Sequence, residues 1–388
     1  MNDFNEISNY NSSPAELLES LSNKYNWISD MKQTPQDPIW HGEGSVFVHT
    51  RMVLETLITD GFFNAGNTFY TEEEKQIMFA AALLHDVEKR STTFEEDGRI
   101  VSPGHAKKGE KTARQILYRD IPTPFVKREK IAKIVRHHGL PLWLMEKENP
   151  EKSIIEASFA VDLKLVQCIA EADVNGRICP DGNELFYKID LFKEMAADSK
   201  CWSGPRKFNS DLARFTYFDK EDSHPDYEPY DTTWNEVIIM CGMPGSGKDY
   251  YIKHSLPDYP MLSLDEIRRE MKIKAGDVSG TGQVIQAAKE KAKSYLRKKQ
   301  PFIWNGTNVT RQVRQQPISL CASYGAKVKL IYLEVPYAKV LHQNKDREFP
   351  IKEDVLEKFI NKLEIPSIYE AHEVDYIIDG KSEKLCNI

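Results

Sequence analysis

The stretch from Val237 to Asp249 constrains the fold of this chain more than any other. It reads Val-Ile-Ile-Met-Cys-Gly-Met-Pro-Gly-Ser-Gly-Lys-Asp. The apolar run Val237–Met240 is too short for a core helix and reads as a strand buried on both faces. Gly242, Gly245 and Gly247 then let the backbone curl so that its N–H groups converge, and a helix beginning near Tyr250 adds its positive N-terminus. Lys248 supplies an ammonium. A buried strand, a glycine loop and a helix in that order call for a parallel sheet covered by helices, with the loop cradling a triphosphate. Gly242, Gly245, Ser246, Gly247, Lys248 and Asp249 are the expected NTP-binding residues, with Lys248 reaching the β- and γ-phosphates. Asp249 stands where Ser or Thr usually ligates Mg²⁺. A carboxylate also holds Mg²⁺, directly or through water, while adding negative charge beside the triphosphate.

The rest of the C-terminal half fits this frame. Pro260-Met-Leu-Ser-Leu, Phe302-Ile-Trp, Val328-Lys-Leu-Ile-Tyr-Leu and Tyr376-Ile-Ile are strand-like runs separated by helical stretches. Asp265 leaves the second strand where a carboxylate can take a proton from an attacking hydroxyl, with helix capping as its ordinary role. Arg268, one turn on, shares its face and can clamp an acceptor phosphate. Asn308 and Arg314 follow the third strand and aim at the same rim, where α/β proteins bind ligands. Arg347, in Asn-Lys-Asp-Arg-Glu-Phe-Pro, lies in a lid-like segment suited to neutralising the triphosphate, with an ordinary surface arginine as the reading of the residue taken alone. The basic helix Lys289–Lys299 reads as a solvated face.

The N-terminal half is helical in pattern and carries a different chemistry. Glu72 to Lys89 is an apolar helix capped by Thr71 and ending on His85-Asp86. His49 lies on a helix whose Val53, Leu54 and Leu57 face inward. Downstream come His105, the pair His137-His138, and Asp173. Imidazoles and carboxylates without thiolates suit Mn²⁺, Fe, Co²⁺, Ni²⁺, Zn²⁺ or Mg²⁺. The six cysteines are far apart with no C-x-x-C pair, which argues against a disulfide framework or a cysteine-rich zinc site and fits a reducing compartment. The expected organisation is a helical lead-in (1–39), an all-α domain (40–217), a polar, proline-bearing linker (218–233) and an α/β domain (234–388). A net charge of -7 speaks against a protein that coats nucleic acid. With neither a basic, apolar leader nor a membrane-length apolar run, the expectation is a cytoplasmic chain without a membrane partner.

Two resemblances refine these readings. From Glu236 to Asp379 the chain resembles phage-type 5′-OH polynucleotide kinases, through Gly-x-Pro-Gly-Ser-Gly-Lys, Asp265-x-x-Arg268, the Thr-Asn stretch before Arg314, and Arg347 ahead of Phe-Pro. The resemblance implies that Asp265 is the general base on the 5′-OH, that Arg268 contacts the phosphate 3′ of the acceptor nucleotide, and that Arg347 contacts the NTP. The chain departs from the pattern at Asp249 and at Gly306, where the phage enzyme carries Asp.

From Trp40 to Arg177 the order His…His-Asp…His…His…Asp is similar to the HD phosphohydrolase superfamily. That resemblance implies a core metal site of His49, His85, Asp86 and Asp173, a second metal on His105 and His137 (with His138 as alternate), and Lys89 as a phosphate contact. Cations so held polarise a phosphoryl group and acidify water. The imidazoles must be neutral, so activity should fall below roughly pH 6 to 6.5. The pairing of halves looks like the bacterial HD-Pnk group of end-healing enzymes. The expected function is therefore RNA or DNA end repair: a kinase using ATP, GTP or another NTP with Mg²⁺, and a phosphoesterase using one or two divalent transition metals. Its partners would be RNA or DNA strand ends and a separate ligase. The rival readings are a small-molecule kinase fused to an HD nucleotide hydrolase, and an HD hydrolase governed by an NTP sensor.

Overall fold

A computed structural model describes residues 4–59, 62–63, 69–274, 277–347 and 349–385; Cys386 lies outside them. The chain divides into two compact units, with the break between Lys207 and Phe208.

The first unit is built of helices. Thr71 accepts a hydrogen bond from the backbone of Glu74 while Glu74 reaches back to the Thr71 N–H, and this reciprocal cap starts the helix Glu72–Leu84. The helix Val46–Thr59 turns His49, Val53, Leu54 and Leu57 inward. Ile77, Leu83 and Leu84 of the helix Glu72–Leu84, and Ile131 and Val135 of the helix Phe125–His137, are buried as well. Leu18, Leu21, Ile28 and Met31, from two of the helices in the first 39 residues, are fully buried too, so this segment helps to build the core. The only strands described in this unit are β1 (Phe94–Glu96) and β2 (Arg99–Val101), an antiparallel pair. Asp97 and Gly98 between them both have positive φ, as a two-residue hairpin turn requires.

The second unit is α/β. Its strands are β3 (Glu236–Gly242), β4 (Met261–Ser263), β5 (Ile303–Asn305), β6 (Lys327–Glu334), β7 (Glu373–Ile378) and β8 (Lys381–Glu383). They form one sheet in the order β4-β5-β3-β6-β7-β8, parallel throughout except for β7 with β8. The apolar run at Val237 is the central strand, and Val237–Gly242 is buried along its whole length. From β3 the chain passes first to one side of the sheet, through β4 and β5, and then to the other, through β6 and β7. A crevice therefore opens at the C-terminal end of β3, where the glycine loop emerges. Ala288, Ala292 and Leu296 of the helix Val278–Arg297 pack with Val237, Ile239 and Leu330. Ile252 packs with Ile238, Met240 and Ile331. The lysines of the helix Val278–Arg297 lie on its solvent side, where Lys293 pairs with Glu290.

The division between the units comes earlier than residue 218. The helix Asp211–Asp219 packs within the second unit: Phe215 stacks on His372 and Phe218 on Tyr369, each with ring centroids 4.3 Å apart. Arg214 donates to the carbonyl of His372. Aromatic stacking thus joins to the second unit a helix that its sequence pattern groups with the helices before it. Among the described residues, no helix is long and apolar enough to cross a membrane.

Candidate functional site

In the first unit the helices bring His49, His85, Asp86, His105, His138 and Asp173 together. Two ligand-type groups result: His49, His85 and Asp173, and Asp86, His105 and His138. His85 follows the last residue of its helix, and Asp86 begins the turn after it. Asp86 joins the groups. Its Oδ2 lies 3.3 Å from His85 Nε2 and 3.8 Å from His49 Nε2. Its Oδ1 lies 3.4 Å from His105 Nε2 and 3.9 Å from His138 Nε2. Asp173 Oδ1 is 3.0 Å from His49 Nε2.

The other ring nitrogens fix the tautomers. The Nδ1 atoms of His49, His85, His105 and His138 lie 3.1, 2.6, 2.8 and 2.8 Å from the carbonyls of Gly176, Ala82, Ser102 and Val135. A carbonyl only accepts, so each Nδ1 carries a proton and each Nε2 is the nitrogen that faces the cluster. This is how metal-bound imidazoles are held. Burial, reinforced by the neighbouring imidazoles, pushes His138 down to about 3. Burial also lowers His105, against the pull of Asp86. At His49, burial is outweighed by Asp173 and Glu43, which raise it; proton and cation compete for its Nε2.

Asp86 is buried, yet it stays ionised: burial pushes its carboxyl up, and Lys89 and His85 more than offset that. Its Oδ1 is nevertheless a buried atom without a hydrogen-bond partner. An orphaned carboxylate oxygen facing imidazole nitrogens is a donor set suited to a cation, and the residues fit a divalent metal.

The position after His137 decides the neighbour question. His137 closes the helix Phe125–His137, and adjacent residues diverge by about 100°. His138 is the one that turns inward, with its ring 5.2 Å from His85 and 5.4 Å from His105. His137 belongs to neither ligand group, so the expected ligand moves by one residue. Lys89 pairs with Asp86 Oδ2 at 2.7 Å. Arg177 forks onto both oxygens of Asp173. Sequence reasoning passed over Glu43, whose fully buried carboxylate lies 2.9 Å from His49 Nδ1 and 2.8 Å from His41 Nδ1 and orients the ligand ring. Only a polar cluster before a helix, His41-Gly-Glu43-Gly, hinted at it.

In the second unit Gly242, Gly245 and Gly247 all have positive φ. A Cβ at Gly242 would lie 2.4 Å from the Leu333 carbonyl, so only glycine fits. Lys248 folds onto the loop, donating to the carbonyls of Gly242 and Met243 at 2.9 and 2.8 Å. Burial lowers its ammonium to about 8, and Arg347 acts in the same direction while Asp249 and Asp265 oppose it. Arg347, Asp249 and Asp265 are therefore all within electrostatic reach of Lys248. The hydroxyl of Ser246 is buried without a partner in the loop. Asp249 accepts from Asn305 Nδ2 at 2.7 Å, which fixes the carboxylate beside the loop. Asp265 does not cap its helix: Ser263 does, and Asp265 is exposed. Arg268 donates to the Thr281 hydroxyl.

Gly242 gives its N–H to the Thr307 carbonyl. Two expected ligand contacts are structural instead. Asn308, at φ 48°, donates its amide to Met240 O at 2.7 Å. Arg314 is fully buried, paired with Glu370 at 2.7 and 2.9 Å and bonded to the carbonyls of Asn308 and Glu364. Neither Asn308 nor Arg314 is free for an acceptor strand; together they brace the base of the phosphate loop. Removing one partner of a buried ion pair strands the other, at about 3–5 kcal/mol. Arg314→Met should therefore lower the melting transition of the second unit by calorimetry and leave KM for the acceptor unchanged in the folded protein. A raised KM with an unshifted transition would restore Arg314 to the acceptor site.

Comparison with known proteins bears on both units. Residues 46–174 match the HD domain family, and residues 237–366 match an AAA domain family. No curated protein matches the chain. Among solved structures, a gluconokinase from Sinorhizobium meliloti 1021 is similar at 14% identity over 38% of this chain and 85% of that chain, with a TM-score of 0.29. The chain thus carries a helical domain that matches the HD family, followed by an α/β domain with a phosphate loop and a mostly parallel sheet that matches the AAA family.

Proposed function

We propose that the chain heals nucleic-acid ends, phosphorylating a 5′-OH in its second unit and removing a 3′-phosphate or 2′,3′-cyclic phosphate in its first. One observation carries the kinase half: Asp265 is an exposed carboxylate, released from capping by Ser263, within electrostatic reach of the phosphate-loop Lys248. Asp265 takes the proton of the attacking hydroxyl. Arg268, on the same short helix, holds the phosphate that follows the acceptor nucleotide. Lys248 exchanges two loop carbonyls for phosphate oxygens, and Arg347 adds a second positive charge. Asp249, steadied by Asn305, would hold Mg²⁺.

In the first unit His49, His85, Asp86 and Asp173 would hold one cation, and His105, His138 and the free oxygen of Asp86 a second. Bound there, divalent cations polarise a phosphoester and acidify water. The four backbone carbonyls keep the imidazoles in one tautomer, and Lys89 and Arg177 keep the two aspartates ionised.

The test uses one preparation and a 5′-OH, 3′-phosphate oligonucleotide, with NTP, Mg²⁺ and Mn²⁺. Both labelling of the 5′ end and release of the 3′-phosphate are expected. Phosphorylation of nucleosides or sugars with the strand untouched would overturn the reading.

A further inference from the structure

We propose that Gln36 is a binding residue of the first unit, donating its side-chain amide to a non-bridging oxygen of the phosphoryl group that reacts at the His/Asp cluster. The proposal rests on the metal-site reading above. Gln36 lies in the segment leading into the helix Val46–Thr59, and two backbone hydrogen bonds pin that segment, Gln36 N to Gly44 O and Val46 N to Thr34 O, forming the bridge between Pro35 and Ser45. The main chain at Gln36 is therefore held in place. Gln36 is only 6% exposed.

Its orientation follows from its neighbour. Lys89 Nζ lies 2.6 Å from Gln36 Oε1, and the same ammonium is 2.7 Å from Asp86 Oδ2. An ammonium has only donors, so the amide must turn its oxygen towards Lys89 and its NH₂ away from it. That Nε2 is buried and without a hydrogen-bond partner. Buried donors are paired almost without exception, because leaving one unmade forfeits its hydration. Here an unpaired donor and an unpaired carboxylate oxygen, Asp86 Oδ1, occur two residues apart in one hydrogen-bonded chain, Asp86–Lys89–Gln36. A cation answers the oxygen. The amide asks for an acceptor, and a phosphoryl oxygen drawn to the cations supplies one. A neutral donor adds hydrogen bonding without further charge beside Lys89.

The experiment uses the full chain and inorganic phosphate as probe. Mn²⁺ binding and phosphate binding to the Mn²⁺-loaded protein are measured by calorimetry, alongside KM for a 3′-phosphorylated oligonucleotide. Gln36→Leu should bind Mn²⁺ as wild type does, bind phosphate roughly 10–100-fold more weakly, and raise KM to match. Gln36→Glu keeps the shape and the bond to Lys89 but loses the donor, so it should be no better than Leu. If Glu restores phosphate affinity, or Leu leaves it unchanged because water fills the place, the amide contact is refuted. Loss of Mn²⁺ binding in Gln36→Leu also overturns it, making the residue a support for Lys89. Wild-type protein that binds no Mn²⁺ would sink the metal reading itself, and this proposal with it.

Discussion

Asp86→Asn should abolish release of phosphate from 3′ ends, by about 1,000-fold or more, while phosphorylation of 5′ ends continues. Asp86 is the residue that touches both ligand groups, one oxygen facing His49 and His85 and the other facing His105 and His138. Asparagine has nearly the same shape. It replaces one oxygen with an NH₂ that cannot ligate, so one of the two groups must lose its Asp86 oxygen whichever way the amide turns. Lys89 would also lose the anion that balances it in a buried place. The readouts are phosphate release and Mn²⁺ bound per chain, both of which should fall. A companion pair tests the second group. His138→Ala should lower Mn²⁺ stoichiometry and hydrolysis together, while His137→Ala, outside both groups, should keep them close to wild type. Equal losses in the two would mean that the helix ends differently from the structure described. Intact hydrolysis in Asp86→Asn would remove the cluster from the reaction altogether.

What was legible in the sequence was local. The apolar run before three glycines could only be a buried strand and a phosphate loop, and it is the central strand of the sheet. The cap at Thr71 and the inward face of the helix bearing His49 were readable because both depend on neighbours within a turn or two. What was misread depends on partners far along the chain. Arg314 followed a strand end and looked like a ligand, but its counter-ion Glu370 lies 56 residues on. Asn308 likewise bonds to a carbonyl 68 residues back. Gln36 and Glu43 escaped for the same reason: Lys89 is 53 residues from the first, and the His49 ring that Glu43 orients is recognisable as a ligand only once the cluster is assembled. The choice between His137 and His138 turns on the phase of one helix end, which adjacent identical residues cannot reveal.

Asp265→Asn should lower kcat for 5′-OH phosphorylation by about 10²–10⁴-fold, the contribution of a positioned general base, and leave nucleotide affinity almost unchanged. The substitution keeps size and polarity. Ser263, which caps the helix, is untouched, so the helix should stand and the loss should be chemical. Lys248→Met should behave differently. It removes the cation that the loop turns towards its ligand, so nucleotide binding and transfer should both fall, transfer by about 10²–10³-fold or more. The pH dependence separates the two further. In the free loop Lys248 titrates near 8, lowered by burial, whereas a bound triphosphate favours its charged form. Binding above pH 8 must then take up a proton, so the nucleotide Kd of the wild type should rise as pH increases, by up to about tenfold per unit. Lys248→Met should lose that slope and Asp265→Asn should keep it. Isothermal titration at pH 7, 8 and 9 beside single-turnover labelling of a 5′-OH oligonucleotide measures both effects. If the wild type shows the slope but transfers no phosphate to any acceptor, the loop is a nucleotide sensor for the hydrolase. If Asp265→Asn transfers phosphate at the wild-type rate, another group takes the proton, and the placement of the acceptor beside the helix Leu264–Glu270 fails with it.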